Sequence, residues 1–430
     1  MSKLKWGVGG IFTLAVAAVG GNLYADKNLK TYYQQGNQQA KNLSVKYQNF
    51  HMGSLKGHAD WTAELVLDPC KPKDLIKFSG QDTIKRSWNG YSVQSDIKIT
   101  QAQGSLQSLL KEPLKAKTTI NWLGTMHTAL TTPVISRNEA QIQSRLEPMT
   151  LEFHAKQINQ QLKILDLQFE IPSLSVIDAN SNFQMTGLKL ETNQGLNGQY
   201  LESGKTKIKI DLLKMSSRET KTPINAELKK LSIETQSELE ERILNTSTSL
   251  KLDEMTIPFV PAMQNLQLNF NVTNLNRQKL QHFFDLVVKG EKSCLAKEKL
   301  VQDIEPALLA VINEGFYFES KNNQFKMGKG VAKASMTGRI MPSHQSNLMG
   351  MVKMMPSLME YKADVEFDKN IMSSVMNNYM AKAGSPMTEQ NLENMLSTMQ
   401  QSGQVKRDGD TLKMSLEYKF EIGRASCRER

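Results

Sequence analysis

Six histidines, His51, His58, His127, His154, His282 and His344, are the side chains most able to bind a metal or move a proton near neutral pH, and they are scattered over 430 residues. No His-Glu-x-x-His occurs and no two histidines share a predicted helix at ligand spacing, so no metal site is expected. Glu238, Glu240 and Glu241 crowd together in a polar connection where solvent relieves their repulsion, a poor setting for acid and base work. The chain contains no Gly-x-Ser-x-Gly elbow, Walker loop or dinucleotide fingerprint, and Gly328-Lys-Gly330 lacks the Lys-Ser or Lys-Thr that completes a phosphate cradle. These residues predict a protein that is not an enzyme and takes no cofactor.

Methionine is the unusual component. Met349, Met351, Met354, Met355 and Met359 precede Met372, Met376 and Met380, which fall at i, i+4 and i+8 on one helix face, and Met395 and Met399 repeat that spacing. Flexible thioethers fill irregular apolar gaps, so three readings stand side by side: packing of helices on a sheet, an adaptable hydrophobic groove for a lipid tail or partner segment, and soft Cu(I) ligation. Cys70 and Cys294 could pair as a disulfide in an oxidising compartment or remain two buried thiols. The third cysteine, Cys427, stands in residues 423–430, which have no strand or helix period and read as a non-native tail.

The elements that would position these groups begin with Trp6 to Tyr24, a nearly unbroken apolar run behind Lys3 and Lys5. As a helix, its roughly 19 residues would reach about 28 Å, close to the hydrocarbon thickness of a bilayer. The two lysines and the flanking Trp6 and Tyr24 orient it with the amino end inside, so residues 1–25 read as a signal-anchor transmembrane helix. A cleaved secretory signal is the competing reading, and it too exports the remainder. Residues 26–45, rich in Gln, Asn and Lys, read as a membrane-proximal helix or stalk.

From there the period becomes two. Trp61, Ala63, Leu65 and Leu67 alternate with polar residues, as do Tyr91, Val93, Ile97 and Ile99, so residues 46–277 read as an antiparallel β region. Ser105 to Leu110 and Ser136 to Arg145 suggest short helical breaks. Leu188-Lys-Leu-Glu-Thr192 is echoed by Leu231-Ser-Ile-Glu-Thr235, and Lys207 to Asp211 by Ser249 to Asp253, a weak internal repeat of about 42 residues. Near Gln278 the period turns helical. Helices are expected over Lys279 to Val288, Cys294 to Asn313, Asn370 to Ala383 and Thr388 to Gln401, interleaved with strands, making residues 278–422 an α+β region. The lysines behind the net charge of +10 are spread over alternating strands, which predicts no nucleic-acid partner.

Tyr47-Gln-Asn-Phe50-His51-Met-Gly53-Ser54-Leu55, soon after an anchor and a polar stalk, resembles the Tyr-x-x-Gly-x-Phe-Ser start of YdgA-like proteins. The similarity continues through Tyr361-Lys-Ala-Asp-Val-Glu-Phe367 to the closing hairpin, while Leu55 replaces a frequent Phe. The resemblance implies a bacterial inner-membrane protein with a β-rich periplasmic body, and it brings no catalytic residues. The fold expected is α+β and β-dominated, an N-terminal transmembrane helix followed by a long twisted antiparallel sheet with C-terminal helices packed on one face. The expected role is a non-enzymatic envelope scaffold or interaction protein. Its partners would be the membrane, a second copy and, in the alternative reading, a lipid carried between the sheet and the Met-bearing helices.

Overall fold

In the computed structural model, residues 37–40, 43–66, 70, 75–102, 110, 112–139, 142–158, 161–196, 201–217, 224–258, 260–293, 297–382, 388–421 and 424–425 are described. The expected transmembrane segment, residues 1–25, lies outside them. Among the described residues no helix is long and apolar enough to cross a membrane. The chain divides into two units, the first comprising residues 1–179, 187–199 and 291–294, the second residues 180–186, 200–290 and 295–430.

The first unit is built from strands whose alternation is read directly from sequence. Its elements are β1 (Asn37–Ala40), β2 (Leu43–Met52), β3 (Lys56–Val66), β4 (Leu75–Ser87), β5 (Gly90–Gln101), β6 (Leu114–Asn121), β7 (Thr125–Thr131), β8 (Ile135–Glu139), β9 (Ile142–Leu146), β10 (Thr150–Ile158) and β11 (Gln161–Asp178). Strands β1 to β7 pair in sequence order, β7 pairs with β10, β10 and β9 pair with β11, and β8 pairs with β9, all antiparallel. One face is largely withdrawn from water. Val45, Trp61, Phe78, Ile97, Leu114, Phe153 and Leu167, drawn from β2 to β11, belong to a single buried cluster. Burying such side chains is worth roughly 1.5–3 kcal/mol each, and it is the main term holding this sheet.

Two segments depart from their expected form. Asn37–Ala40 is a strand paired with Leu43–Lys46, so the end of the expected stalk is a hairpin rather than a helix. Ser136 to Arg145 is also a hairpin, formed by β8 and β9, because β9 finds a second ladder partner in β11 and that pairing overrides the local pattern. A line of prolines crosses this part of the sheet. Pro133, Pro148 and Pro172 stand at one level on three neighbouring chain segments, where each lacks the N–H a ladder needs. The freed groups are met otherwise: Thr132 N donates to Met149 O at 3.0 Å, Met149 N to Thr132 Oγ1 at 3.0 Å, and Glu147 N to Ser173 O at 3.0 Å.

Strand β12 (Ser181–Thr192) passes from one unit to the other at Gly187, whose φ of 64° suits glycine. The second unit continues as a meander of β13 (Gly204–Ser217), β14 (Ile224–Glu240), β15 (Ile243–Ile257) and β16 (Val260–Asn276). Helices α1 (Arg277–Ser293) and α2 (Lys297–Asn313) intervene before β17 (Phe316–Met327), which nevertheless pairs with β16. Strand β18 (Gly330–Ile340), helix α3 (Leu348–Leu358), β19 (Met359–Asp368), helices α4 (Lys369–Lys382) and α5 (Glu389–Gln401), β20 (Lys406–Asp408) and β21 (Thr411–Tyr418) follow. The sheet order is β16, β17, β18, β19, β21, β20. The change of period near Gln278 is therefore an insertion within this meander. The repeated segments Leu231 to Thr235 and Ser249 to Asp253 fall on its adjacent strands β14 and β15.

The helices settle on the sheet as their apolar stripes require. Ile371 of α4 packs with Met327 and Ala332, and Leu392 and Leu396 of α5 pack with Leu412. Thr388 caps α5 by accepting from Asn391 N at 3.3 Å, as its position before the apolar run predicts. Helix α3 is an element the sequence reading did not assign. Asn347 caps it, accepting from Gly350 N at 2.7 Å, and Met351 is buried within it. A charge cluster ties α4, α5 and the last hairpin together: Lys369 reaches Asp410 at 2.9 Å and Glu393 at 3.5 Å, while Arg407 grips Glu393 with contacts of 2.5 and 3.0 Å. The Arg407 guanidinium, followed by its charge and that of Lys369, holds the Glu393 carboxyl below the usual carboxylate range. After β21, β22 (Phe420–Glu421) pairs with β23 (Arg424–Ala425), so two residues of the expected non-native tail form a short ladder.

Candidate interaction surfaces

Of the residues singled out from sequence, Cys70 is disulfide-bonded and exposed, while Cys294 lies outside the described residues. Met372 and Met395 pack beside Leu392, Leu396, Leu412 and Phe367, as side chains completing a core. Met376 and Met399 are half-buried, and the Met380 side chain lies outside the description. Two of the five methionines thus meet in one apolar cluster where α4 and α5 cover the sheet.

What surrounds that cluster is more informative. Phe367 and Leu412 are opposed on β19 and β21, and the next pairs on the same face are Val365 with Met414 and Ala363 with Leu416. Cover by the helices ends between these pairs. Leu412 is fully buried, whereas Val365, Met414 and Leu416 are 37%, 40% and 47% exposed. On β16, Leu268 and Phe270 are exposed to the same degree, 44% each. The face therefore carries large apolar side chains beyond the reach of its own helices.

The opposite face is polar and dished. Gln267, Gln324, Lys333, Glu366, Lys413 and Lys406 follow one another across six strands in a single register row. They line a trough of about 620 Å³ to which Ala334, Val365 and Met414 also contribute, with Ser415 donating to Asp364 Oδ1 at 2.6 Å in the next row. A second trough of about 390 Å³, lined by Glu234, Ser249, Asn269 and Glu319 among others, lies along β14 to β17. Lysines here are matched to acids across and along the strands. Lys205 lies 2.7 Å from Glu234, and Lys229 lies 3.2 Å from Glu227 and 3.1 Å from Glu254. The hydrogen bond from Lys205 holds Glu234 below its ordinary range, and the bond to Glu254 raises Lys229. Alternating charge can hold a polar ligand without selecting one sign.

The structure also assembles a group that sequence spacing concealed. His127 and His154 are opposed on β7 and β10, their rings stacked with centroids 4.6 Å apart, and His154 Nδ1 lies 2.8 Å from Asp166 Oδ1. A His–Asp pair can pass a proton, but this one is on an open sheet surface with both side chains nearly half exposed. Among the described residues no three His, Cys, Asp or Glu side chains gather as a metal site.

The family of bacterial proteins of unknown function called DUF945 matches residues 1–422. The chain belongs to that family. No curated protein and no solved structure matches it. For this DUF945 chain the match spans both units, so meander, helices and exposed apolar face all lie within the family's extent.

Proposed function

We propose that this DUF945 protein is a non-enzymatic, inner-membrane-anchored periplasmic interaction protein of the bacterial envelope, in the manner of the YdgA-like proteins its amino-terminal residues resemble. It self-associates through the uncovered apolar face of its second unit. The observation that carries this reading is the end of helix cover between Phe367–Leu412 and Val365–Met414. Side chains of this size on one sheet face gain roughly 1–2 kcal/mol each when a partner removes them from water. A second copy is the occupant because a two-fold axis would set the same apolar patch of both copies together, so that each covers the other. The apolar run Trp6 to Tyr24 behind Lys3 and Lys5 supports the anchored, amino-end-in topology.

The alternative, a carrier of lipid or another hydrophobic molecule, is favoured by the closeness of that face to Met372 and Met395. Native mass spectrometry of the protein extracted from membranes separates the two. Self-association predicts a lipid-free dimer that becomes a monomer in Val365→Lys/Leu416→Lys, whereas a monomer carrying lipid overturns it in favour of the carrier.

A further inference from the structure

Three hairpin turns of the first unit, β2–β3, β4–β5 and β6–β7, emerge on the same edge because these six strands are paired in sequence order. At their tips stand Leu55, Trp88, Trp122 and Leu123, exposed by 67%, 91%, 40% and 79%. So much apolar and indole surface at one edge needs a reason. The tips are tied to one another. Arg86 N donates to Leu55 O at 2.8 Å, Trp122 N to Asn89 O at 3.3 Å, and Trp122 Nε1 to Trp88 O at 2.7 Å. Trp122 also packs edge-on against Tyr91 at 5.2 Å, and Arg86 lies 5.7 Å over its ring. Asn121 Oδ1 accepts from Leu123 N at 3.0 Å and Thr125 N at 2.9 Å, which fixes the third turn. Gly90, with φ of 142°, lets the second turn press against Ile120 O, where a side chain would clash.

We infer that these three tips form a docking surface for an anionic phospholipid bilayer. The turns carry Lys56, Lys85 and Arg86, all exposed, and residues 53–56, 85–90 and 121–125 include no Asp or Glu. Cations beside protruding Trp and Leu match a bilayer interface, where acyl chains receive the apolar ends, indoles lie at headgroup level and the cations meet lipid phosphates. Trp88 and Leu123, exposed by 91% and 79%, protrude far enough to enter headgroups, whereas a protein partner would more readily select a pocket. The surface belongs to the first unit alone and does not depend on self-association through the second.

The test uses the full chain with Trp6→Phe, which leaves Trp61, Trp88 and Trp122 as the emitters. Trp61 is buried and insulated from lipid. With the chain reconstituted into vesicles whose acyl chains carry bromine, tryptophan emission is expected to be quenched and blue-shifted when phosphatidylglycerol is present, and much less so in phosphatidylcholine alone. Lys56→Gln/Lys85→Gln/Arg86→Gln, at exposed positions that leave the core intact, should weaken the anionic preference by about fivefold per charge removed. Trp88→Phe, whose side chain is almost fully exposed, should remove most of the quenched component. Unquenched emission in phosphatidylglycerol vesicles, or quenching that the triple variant leaves unchanged, overturns the proposal.

Discussion

Trp61 and Gly80 are directly opposed on β3 and β4, and the Trp61 indole occupies the place where a side chain on Gly80 would stand. A Cβ at position 80 would lie 2.1 Å from Trp61 Cε2. Two residues further along β4, Asp82 accepts from Trp61 Nε1 at 2.9 Å in the buried interior. The indole is thus fixed by a missing side chain below it and a carboxylate at its edge. Gly80→Ala should force it off its rotamer and cost about 1–3 kcal/mol, read as a lowered midpoint in urea. Trp61→Phe should cost at least as much, because the buried carboxylate loses a donor and the smaller ring leaves a void. A Gly80→Ala protein as stable as the parent would show that the indole has room to move.

Thr118 and Thr128 share a hydrogen bond of 2.9 Å across β6 and β7, and both side chains are buried. Removing one hydroxyl strands the other away from water, at a cost of about 1–3 kcal/mol, whereas removing both at constant shape costs much less. Thr118→Val/Thr128→Val should therefore unfold at a urea concentration close to that of the parent and above either single variant. Additive losses in this double-mutant cycle would show that the hydroxyls do not depend on one another.

Glu393 links α5 to the β20–β21 hairpin through Arg407, and its carboxyl is held below the ordinary range chiefly by that hydrogen bond. A depressed carboxyl contributes stability that is fully present above its unfolded pKa and is lost as pH falls through its folded pKa. Hydrogen-exchange protection of α5 and the hairpin should accordingly hold from neutrality into mild acid and drop below the ordinary carboxylate range. Glu393→Gln should flatten that acid step while leaving the first unit unchanged. A step of undiminished size in the variant would assign it to another carboxylate.

Much of the fold is legible in local sequence because strand alternation and helix caps are local events. The pairs Trp61/Ala63/Leu65 and Tyr91/Val93/Ile97 announce strands with one buried face, and that is the face buried here. Thr388 before the stripe of Leu392 and Leu396 announces α5, capped as expected. The stretch from Met349 to Met359 hid α3: Met351, Met354, Met355 and Leu358 fall at helical spacing, but Met349 and Val352 blur that stripe and Pro356 stands inside it. The hairpin of β8 and β9 was hidden for another reason: its polar runs Ser136-Arg-Asn138 and Gln143-Ser-Arg145 lack the apolar alternation that marks a strand.

That this is a strand-dominated chain, which side of each strand meets a core, and where its last helices begin are all written locally, for those properties depend on residues a few positions apart. It takes the folded sheet to put Pro133, Pro148 and Pro172 on one line, to stack His127 on His154, and to bring Leu55, Trp88 and Leu123 to one edge. One alternating strand looks much like another, so nothing in its own residues says which neighbour it takes or in what register. That choice is made by the sum of cross-strand contacts over the whole sheet, and the surfaces proposed for bilayer and partner exist only once it has been made.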